Sequence, residues 1–156
     1  MSIRTWVVAA ILSLSLPAAA QSRQYVDTSS YLTSEADLNA WYQLRANLNQ
    51  NFDDVCGDTF CEGDYSNIQS LRFRCSVDNR TGVIGECVWV FAASNEEVDP
   101  ATGAISVDAQ SFTCRVPLAP RTTIQSLLAA LAGPNPLRAT LPRSTLSIYD
   151  GLADCL

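Results

Sequence analysis

Histidine and lysine are both absent from this chain of 156 residues, so its ten basic residues are all arginine. Without an imidazole or a side-chain amine, the chain excludes the Ser-His-Asp triad, Schiff-base chemistry and every histidine-ligated metal site. Acid–base chemistry would have to come from carboxylates, tyrosine or the N-terminal amine. No catalytic constellation of such groups is recognisable, so we predict no catalytic residues and favour a protein that is not an enzyme.

Long apolar runs are also scarce, and the longest lies at the N-terminus, from Val7 to Leu16. Arg4 precedes this run and small residues up to Ala20 follow it, which is typical of a cleavable signal peptide over residues 1–20. The run is shorter than the roughly 20 residues that a membrane span needs. We therefore predict cleavage after Ala20, export to the periplasm or the extracellular space, and no membrane insertion afterwards.

The mature chain would begin at Gln21 and carry nine arginines against sixteen carboxylates, a net charge of −7. Such a surface repels phosphate backbones and anionic lipids, which argues against nucleic acid or membranes as partners. Residues 21–30 are polar and lack periodicity, so we expect a mobile lead-in. Residues 31–156 are then one domain's worth of chain.

Cysteine is plentiful for a chain of this size, with six residues in the mature part. An even number in an exported protein predicts three disulfides, and no C-x-x-C spacing supports a redox or zinc motif. We predict a local Cys56–Cys61 bridge and a bond from Cys155 to a strand cysteine. The six are Cys56, Cys61, Cys75, Cys87, Cys114 and Cys155.

One long helix is predicted from Glu35 to Asp54, with Ser34 as its N-cap. Apolar residues recur there at spacings of three and four, which forms a single stripe for packing on a sheet. The stripe consists of Leu38, Trp41, Leu44, Leu48, Phe52 and Val55.

Three strands are predicted to follow as an antiparallel meander. In the first, the odd-numbered residues from Leu71 to Val77 form a buried face. The second, residues 86–93, is apolar on both faces and predicts a central strand covered on both sides. The third, residues 104–116, changes phase, so we expect a bulge near residues 108–110.

The two connections between these strands share one pattern. Asp78–Gly82 and Asp99–Gly103 both begin with Asp and end with Thr-Gly, which predicts tight hairpins. Beyond the sheet, Thr122 and Gln125 suggest a capping box for a second helix, and residues 147–154 suggest a short last helix. The fold class is therefore α+β: an N-terminal amphipathic helix on a three- to four-stranded antiparallel meander, then short C-terminal helices, held by disulfides.

The densest polar feature is an acidic segment between Phe52 and Tyr65. Two of its carboxylates lie at the C-terminal end of the predicted helix, where the helix dipole disfavours negative charge. Either Arg72 or Arg74 or a bound cation would have to compensate. The candidate binding residues of this acidic segment are Asp53, Asp54, Asp58, Glu62 and Asp64.

Calcium is the alternative cofactor here, with Asp58, Glu62 and Asp64 as ligands, although the EF-hand spacing fails. We expect no cofactor. Paired carboxylates could also serve glycoside hydrolysis, for which the sequence supplies no distance. Four aromatic residues could form a carbohydrate platform, but their spacing favours the core. They are Trp41, Tyr42, Trp89 and Phe91.

Together these patterns predict an exported, non-catalytic binding domain with an inhibitor-like or immunity-like role. Its partner would be a protein, and a basic one, because the chain is acidic. The alternatives are a carboxylate-based hydrolase and a calcium-dependent adhesin-like domain.

Overall fold

The computed structural model describes residues 24–56, 65 and 67–156. Within these residues it has four helices and one four-stranded antiparallel sheet, which confirms the α+β class. In chain order the elements are β1 (Tyr25–Asp27), α1 (Thr28–Tyr31), α2 (Glu35–Val55), β2 (Asn67–Asp78), β3 (Ile84–Val98), β4 (Ile105–Arg115), α3 (Ile124–Ala130) and α4 (Ile148–Ala153).

Helix α2 forms where the apolar stripe predicted it. The Ser34 hydroxyl accepts a hydrogen bond from the Asp37 amide at 3.1 Å and so caps the first turn. Phe52, at the other end, packs its ring 5.7 Å from that of Trp89 and 4.7 Å from that of Phe91. The helix therefore covers one face of the sheet.

Helix α2 is nevertheless not the first element, because β1 and α1 occupy most of the expected lead-in. Strand β1 pairs with β2, and Asp27 caps α1 by accepting from the Ser29 amide at 2.9 Å. The Thr28 hydroxyl donates to the Cys75 carbonyl at 3.1 Å. A three-residue strand and a single helical turn are too short to leave a periodic signal in the sequence. Residues 21–23 lie outside the described residues.

Strand β3 is central, as predicted, because the sheet order is β1-β2-β3-β4. Its odd-numbered side chains, from Cys87 to Ala93, are buried against the helices. On the opposite face Val88, Val90 and Ala92 are only half-buried. Strand β3 was expected to be buried on both faces, but only the face that carries its odd-numbered side chains is fully buried.

The bulge expected near residues 108–110 is wrong, since β3 and β4 pair without any register shift. The irregularities lie instead between β2 and β3, and one of them places Leu71 as an extra residue. Leu71 was expected on the buried face and is 58% exposed. The phase change in β4 has a different cause: Ile105 and Val107 lie on the face of the sheet opposite to Phe112 and Cys114, and they are exposed there.

The C-terminal helices are also observed, with one correction. Helix α3 is capped by Thr123 and Ser126, one residue later than the predicted Thr122 and Gln125. The Thr122 carbonyl instead accepts the Ile84 amide at 2.8 Å, which ties this connection to the sheet. Helix α4 is capped by Ser147, within the predicted range.

Two disulfides are described in full. Cys75–Cys87 joins directly opposite residues of β2 and β3, and Cys114–Cys155 ties β4 to the end of the chain. The predicted bond from Cys155 to a strand cysteine is confirmed. Cys56 is also disulfide-bonded, but its predicted partner Cys61 lies outside the described residues.

Candidate functional site

The acidic segment is described only in part. Asp53 and Asp54 are exposed on the last turn of α2, a turn without a basic residue. The other three carboxylates, Asp58, Glu62 and Asp64, lie outside the described residues, so the binding and calcium sites there stay predictions. Among residues that are described, no group of three or more Cys, Asp or Glu is placed to hold a metal ion.

Neither arginine that was expected to neutralise this segment forms an ion pair with Asp53 or Asp54, the two carboxylates of the segment that the structure describes. Arg74 Nε lies 2.5 Å from Asp27 Oδ2, so Arg74 pairs with β1 rather than with α2. No ion pair involves Arg72 within the described part of the chain. The Asp54 carboxylate instead accepts a hydrogen bond from the side-chain amide of Gln50 at 2.9 Å.

A depression of about 310 Å³ opens on the half-buried face of the sheet, and its lining includes two carboxylates, Asp27 and Glu86. Glu86 is paired with Arg115. Burial opposes the ionisation of Asp27, but hydrogen bonds from Ser29 and Arg74 outweigh it and lower the pKa of Asp27 to about 2. A glycosidase needs one carboxyl with a raised pKa as its general acid. Asp27 is unsuited to that task.

The aromatic residues considered as a carbohydrate platform belong mainly to the core. Trp41, Trp89 and Phe91 are at most 2% exposed, and the Trp89 indole donates to the Ser70 hydroxyl at 2.8 Å. Tyr42 alone of the four reaches the surface. One exposed ring does not make a stacking platform.

Among the described residues, three of the exposed aliphatic side chains cluster at the end of the β3–β4 hairpin, residues 94–109, which we call the arm. Val98, Ile105 and Val107 are 66%, 64% and 64% exposed. Val98 pairs with Ile105, and Val107 pairs with Glu96 two positions along each strand. Paired residues point to the same side and side chains alternate along a strand. The three aliphatic side chains therefore share one face of the arm.

The turn at the tip of the arm has the same chemistry as the turn between β2 and β3. Asp99 Oδ1 accepts the Ala101 and Thr102 amides at 2.8 and 3.1 Å, and Asp78 Oδ1 accepts the Arg80 and Thr81 amides at 3.0 Å each. The glycines that close the two turns have φ of +69° and +70°. The predicted hairpins are thus confirmed in detail.

The surroundings of these two turns are opposite. A methyl group built on Gly82 would lie 2.6 Å from the Tyr31 hydroxyl oxygen, whereas one built on Gly103 would meet no atom within 4 Å. Asp78 is 5% exposed, and the turn from Asp99 to Gly103 is exposed throughout. The first turn is packed on the body of the domain, and the tip of the arm is free of contacts with the described residues.

The arm is also acidic. It carries Glu96, Glu97, Asp99 and Asp108, and the sequence has no basic residue between Arg80 and Arg115. Hydrogen bonds from the Ala101 and Thr102 amides lower the pKa of Asp99, so its carboxylate is ionised at neutral pH. The arm therefore combines an aliphatic face with four negative charges.

The arm was not predicted from the sequence, although one feature of the sequence marks it. Ile105 and Val107 are out of phase with Phe112 and Cys114, and this change marks apolar residues that lie on the exposed face of the sheet instead of the core face. Interpreting it as a bulge assumed that every apolar residue of a strand must be buried.

Comparison of the chain with protein-family models, with curated proteins and with solved structures gives no significant match. None of the described helices is long and apolar enough to cross a bilayer. The function must therefore be argued from the surfaces themselves.

Proposed function

We propose that this chain is an exported, non-catalytic binding domain that engages a protein partner through the arm. The observation that carries the proposal is the exposure of Val98, Ile105 and Val107 on one face of an acidic hairpin. Contiguous exposed aliphatic side chains commonly mark interaction sites. Export is supported by the signal-peptide pattern of residues 1–20 and by the disulfides, which persist in oxidising compartments.

The partner that fits the arm is a protein surface with both apolar and basic groups. Aliphatic contact excludes water, while the four carboxylates of the arm favour an opposing positive potential and repel acidic competitors. Such complementarity suits an inhibitor-like or immunity-like role, in which a small acidic domain blocks a basic target. The two described disulfides, Cys75–Cys87 and Cys114–Cys155, hold the sheet from which the arm extends.

Catalysis is not favoured by the described part of the molecule. The two carboxylates that line the depression on the sheet, Asp27 and Glu86, are each paired with an arginine. The low pKa of Asp27 is the opposite of what a general acid requires. We therefore propose that the domain binds its partner and does not catalyse a reaction.

The proposal is tested by affinity capture from the cell envelope and culture supernatant of the source organism. The mature chain is compared with a double variant, Ile105→Ser and Val107→Ser, and with Leu71→Ser as a matched control. Leu71 is an exposed aliphatic residue of similar accessibility, on β2 and outside the arm.

We expect a protein that the mature chain and the Leu71→Ser control retain and that the arm variant loses. Raising the salt concentration should weaken capture, because part of the attraction is between opposite charges. Equal retention by the arm variant and the parent chain would contradict the proposal.

A further inference from the structure

We propose that the partner binds as an extended strand added to the free edge of β4, an inference that rests on the proposed function of the arm. Strand β4 is the last strand of the sheet. Among the described residues, no strand pairs with its outer edge, although helix α4 covers the C-terminal end of that edge: a methyl group built on Gly151 would lie 2.9 Å from the Arg115 carbonyl oxygen. The inference concerns how the partner is held and what sequence it needs.

The hydrogen-bond pattern shows which groups of β4 are available. At one end of the hairpin the Asp99 amide donates to the Ala104 carbonyl, and beyond the other end the Val116 amide donates to the Cys87 carbonyl. Because β3 and β4 pair without a register shift, the even-numbered residues between them also bond to β3. The odd-numbered residues from Ile105 to Thr113 consequently direct their N–H and C=O groups outward, whereas the carbonyl of Arg115 lies against α4.

Between Ile105 and Thr113 this edge lacks the sequence features that normally prevent strands from pairing. Exposed edges in folded proteins are usually short, bulged, or interrupted by proline or lysine. Strand β4 has 11 residues, no bulge, no proline and no lysine. Its only charged residues are Asp108 and, at its end, Arg115. An edge of this kind is a ready template for another strand.

The side chains beside the edge define the chemistry of the added strand. Ile105 and Val107 lie on one face of the sheet, so residues of the added strand on that face should be aliphatic. Asp108 lies on the other face, where its carboxylate accepts a hydrogen bond from the Tyr65 hydroxyl at 3.4 Å and forms no ion pair with a described arginine, so the residue beside it should be basic. The expected ligand is therefore an extended segment in which aliphatic and basic residues alternate.

A second copy of this chain fits the edge less well. If two β4 strands paired antiparallel along all 11 residues, Gln110 of one copy would lie opposite Gln110 of the other. This pairing would place Asp108 opposite Phe112 and Ile105 opposite Arg115. It would also bring together two domains that each carry a large negative charge. A basic strand from another protein would form hydrogen bonds with the outward backbone groups of β4 and would also offset the negative charge of the arm.

The first test uses Ala109, an exposed residue whose N–H points outward. Ala109→Pro removes one edge donor and leaves the bonds between β3 and β4 intact, while Ala109→Thr keeps the donor at the same position. We expect Ala109→Pro to weaken capture of the partner about tenfold relative to Ala109→Thr, as for one lost hydrogen bond, because the two variants change the same side-chain position and differ in the backbone donor. An unchanged melting temperature and far-ultraviolet spectrum would show that both variants fold.

The second test uses a synthetic nine-residue peptide of alternating valine and lysine, and the same peptide methylated on alternate backbone nitrogens. The unmodified peptide should shift and protect the amide signals of Val107, Ala109 and Ser111 in nuclear magnetic resonance spectra. The methylated peptide should bind about tenfold more weakly. Equal binding of both peptides, or no shift at millimolar peptide, would overturn strand addition.

These outcomes separate the inference from the proposed function. Capture that depends on Ile105 and Val107 but is unaffected by Ala109→Pro would leave the binding domain standing and refute strand addition. Capture indifferent to all arm variants would refute both. Concentration-dependent dimerisation abolished by Ala109→Pro would assign the edge to a second copy and overturn the foreign partner.

Discussion

Removing the Cys114–Cys155 disulfide should destabilise the domain more than removing Cys75–Cys87. The first bond closes a loop of 41 residues and the second a loop of 12. In the loop-entropy model, cross-links of these lengths stabilise the fold by about 4 and about 3 kcal/mol. The difference of about 1 kcal/mol arises in the unfolded chain, because the longer loop restricts it more.

The measurement is urea unfolding of two double variants, each with both cysteines of one pair changed to alanine. Alanine avoids burying the unpaired hydroxyl that serine would introduce at Cys75, Cys87 and Cys114, which are at most 2% exposed. Free energies of unfolding are compared by linear extrapolation with the parent chain under non-reducing conditions. If the Cys75–Cys87 variant loses as much stability as the other or more, chain entropy does not control the ranking and the reasoning fails.

Two further predictions use matched sites and pH. Gly103→Ala should lower the free energy of unfolding by about 1 kcal/mol, the usual penalty of a positive φ. Gly82→Ala, at nearly the same φ, should lower it clearly more, because the new methyl group meets Tyr31. Equal losses of stability in thermal unfolding would contradict the packing of the Gly82 turn. The folded pKa of Asp27 is lowered from 3.8 to about 2, so its ionised form stabilises the fold above pH 4 and this contribution is lost as the pH falls towards 2. Asp27→Asn should therefore lower the melting temperature at pH 7 and make little difference at pH 2, and a constant difference across this range would refute the role of the Asp27–Arg74 pair.

The elements that could be predicted from the sequence are those with a local signal. Helix α2 shows a stripe repeated over five turns, and Ser34 marks its start. The turns at Asp78 and Asp99 are each specified by one side chain and one glycine within five residues. In such segments the pattern and the backbone conformation have the same cause, and distant contacts are not needed to interpret them.

The features that could not be predicted depend on pairing between distant parts of the chain. Strand β1 is extended because β2 offers it three partners, and its own three residues carry no period. The extra residue at Leu71 is defined only by the register of β2 against β3. Likewise, Arg74 was expected beside α2, but the pairing of β1 with β2 brings Asp27 to it.

The arm shows why exposure, rather than local chemistry, carries the functional argument. The turns at Asp78 and Asp99 use the same hydrogen bonds and the same glycine conformation, so turn chemistry does not decide whether a hairpin is covered. Gly82 meets Tyr31, whereas Gly103 meets no neighbouring atom. Yet the strands that lead to Gly103 carry aliphatic residues, which a purely solvent-facing hairpin does not need. Because the chain buries the rest of its sheet on one side and leaves these residues open, we propose the arm, rather than either turn, as the contact surface for a partner.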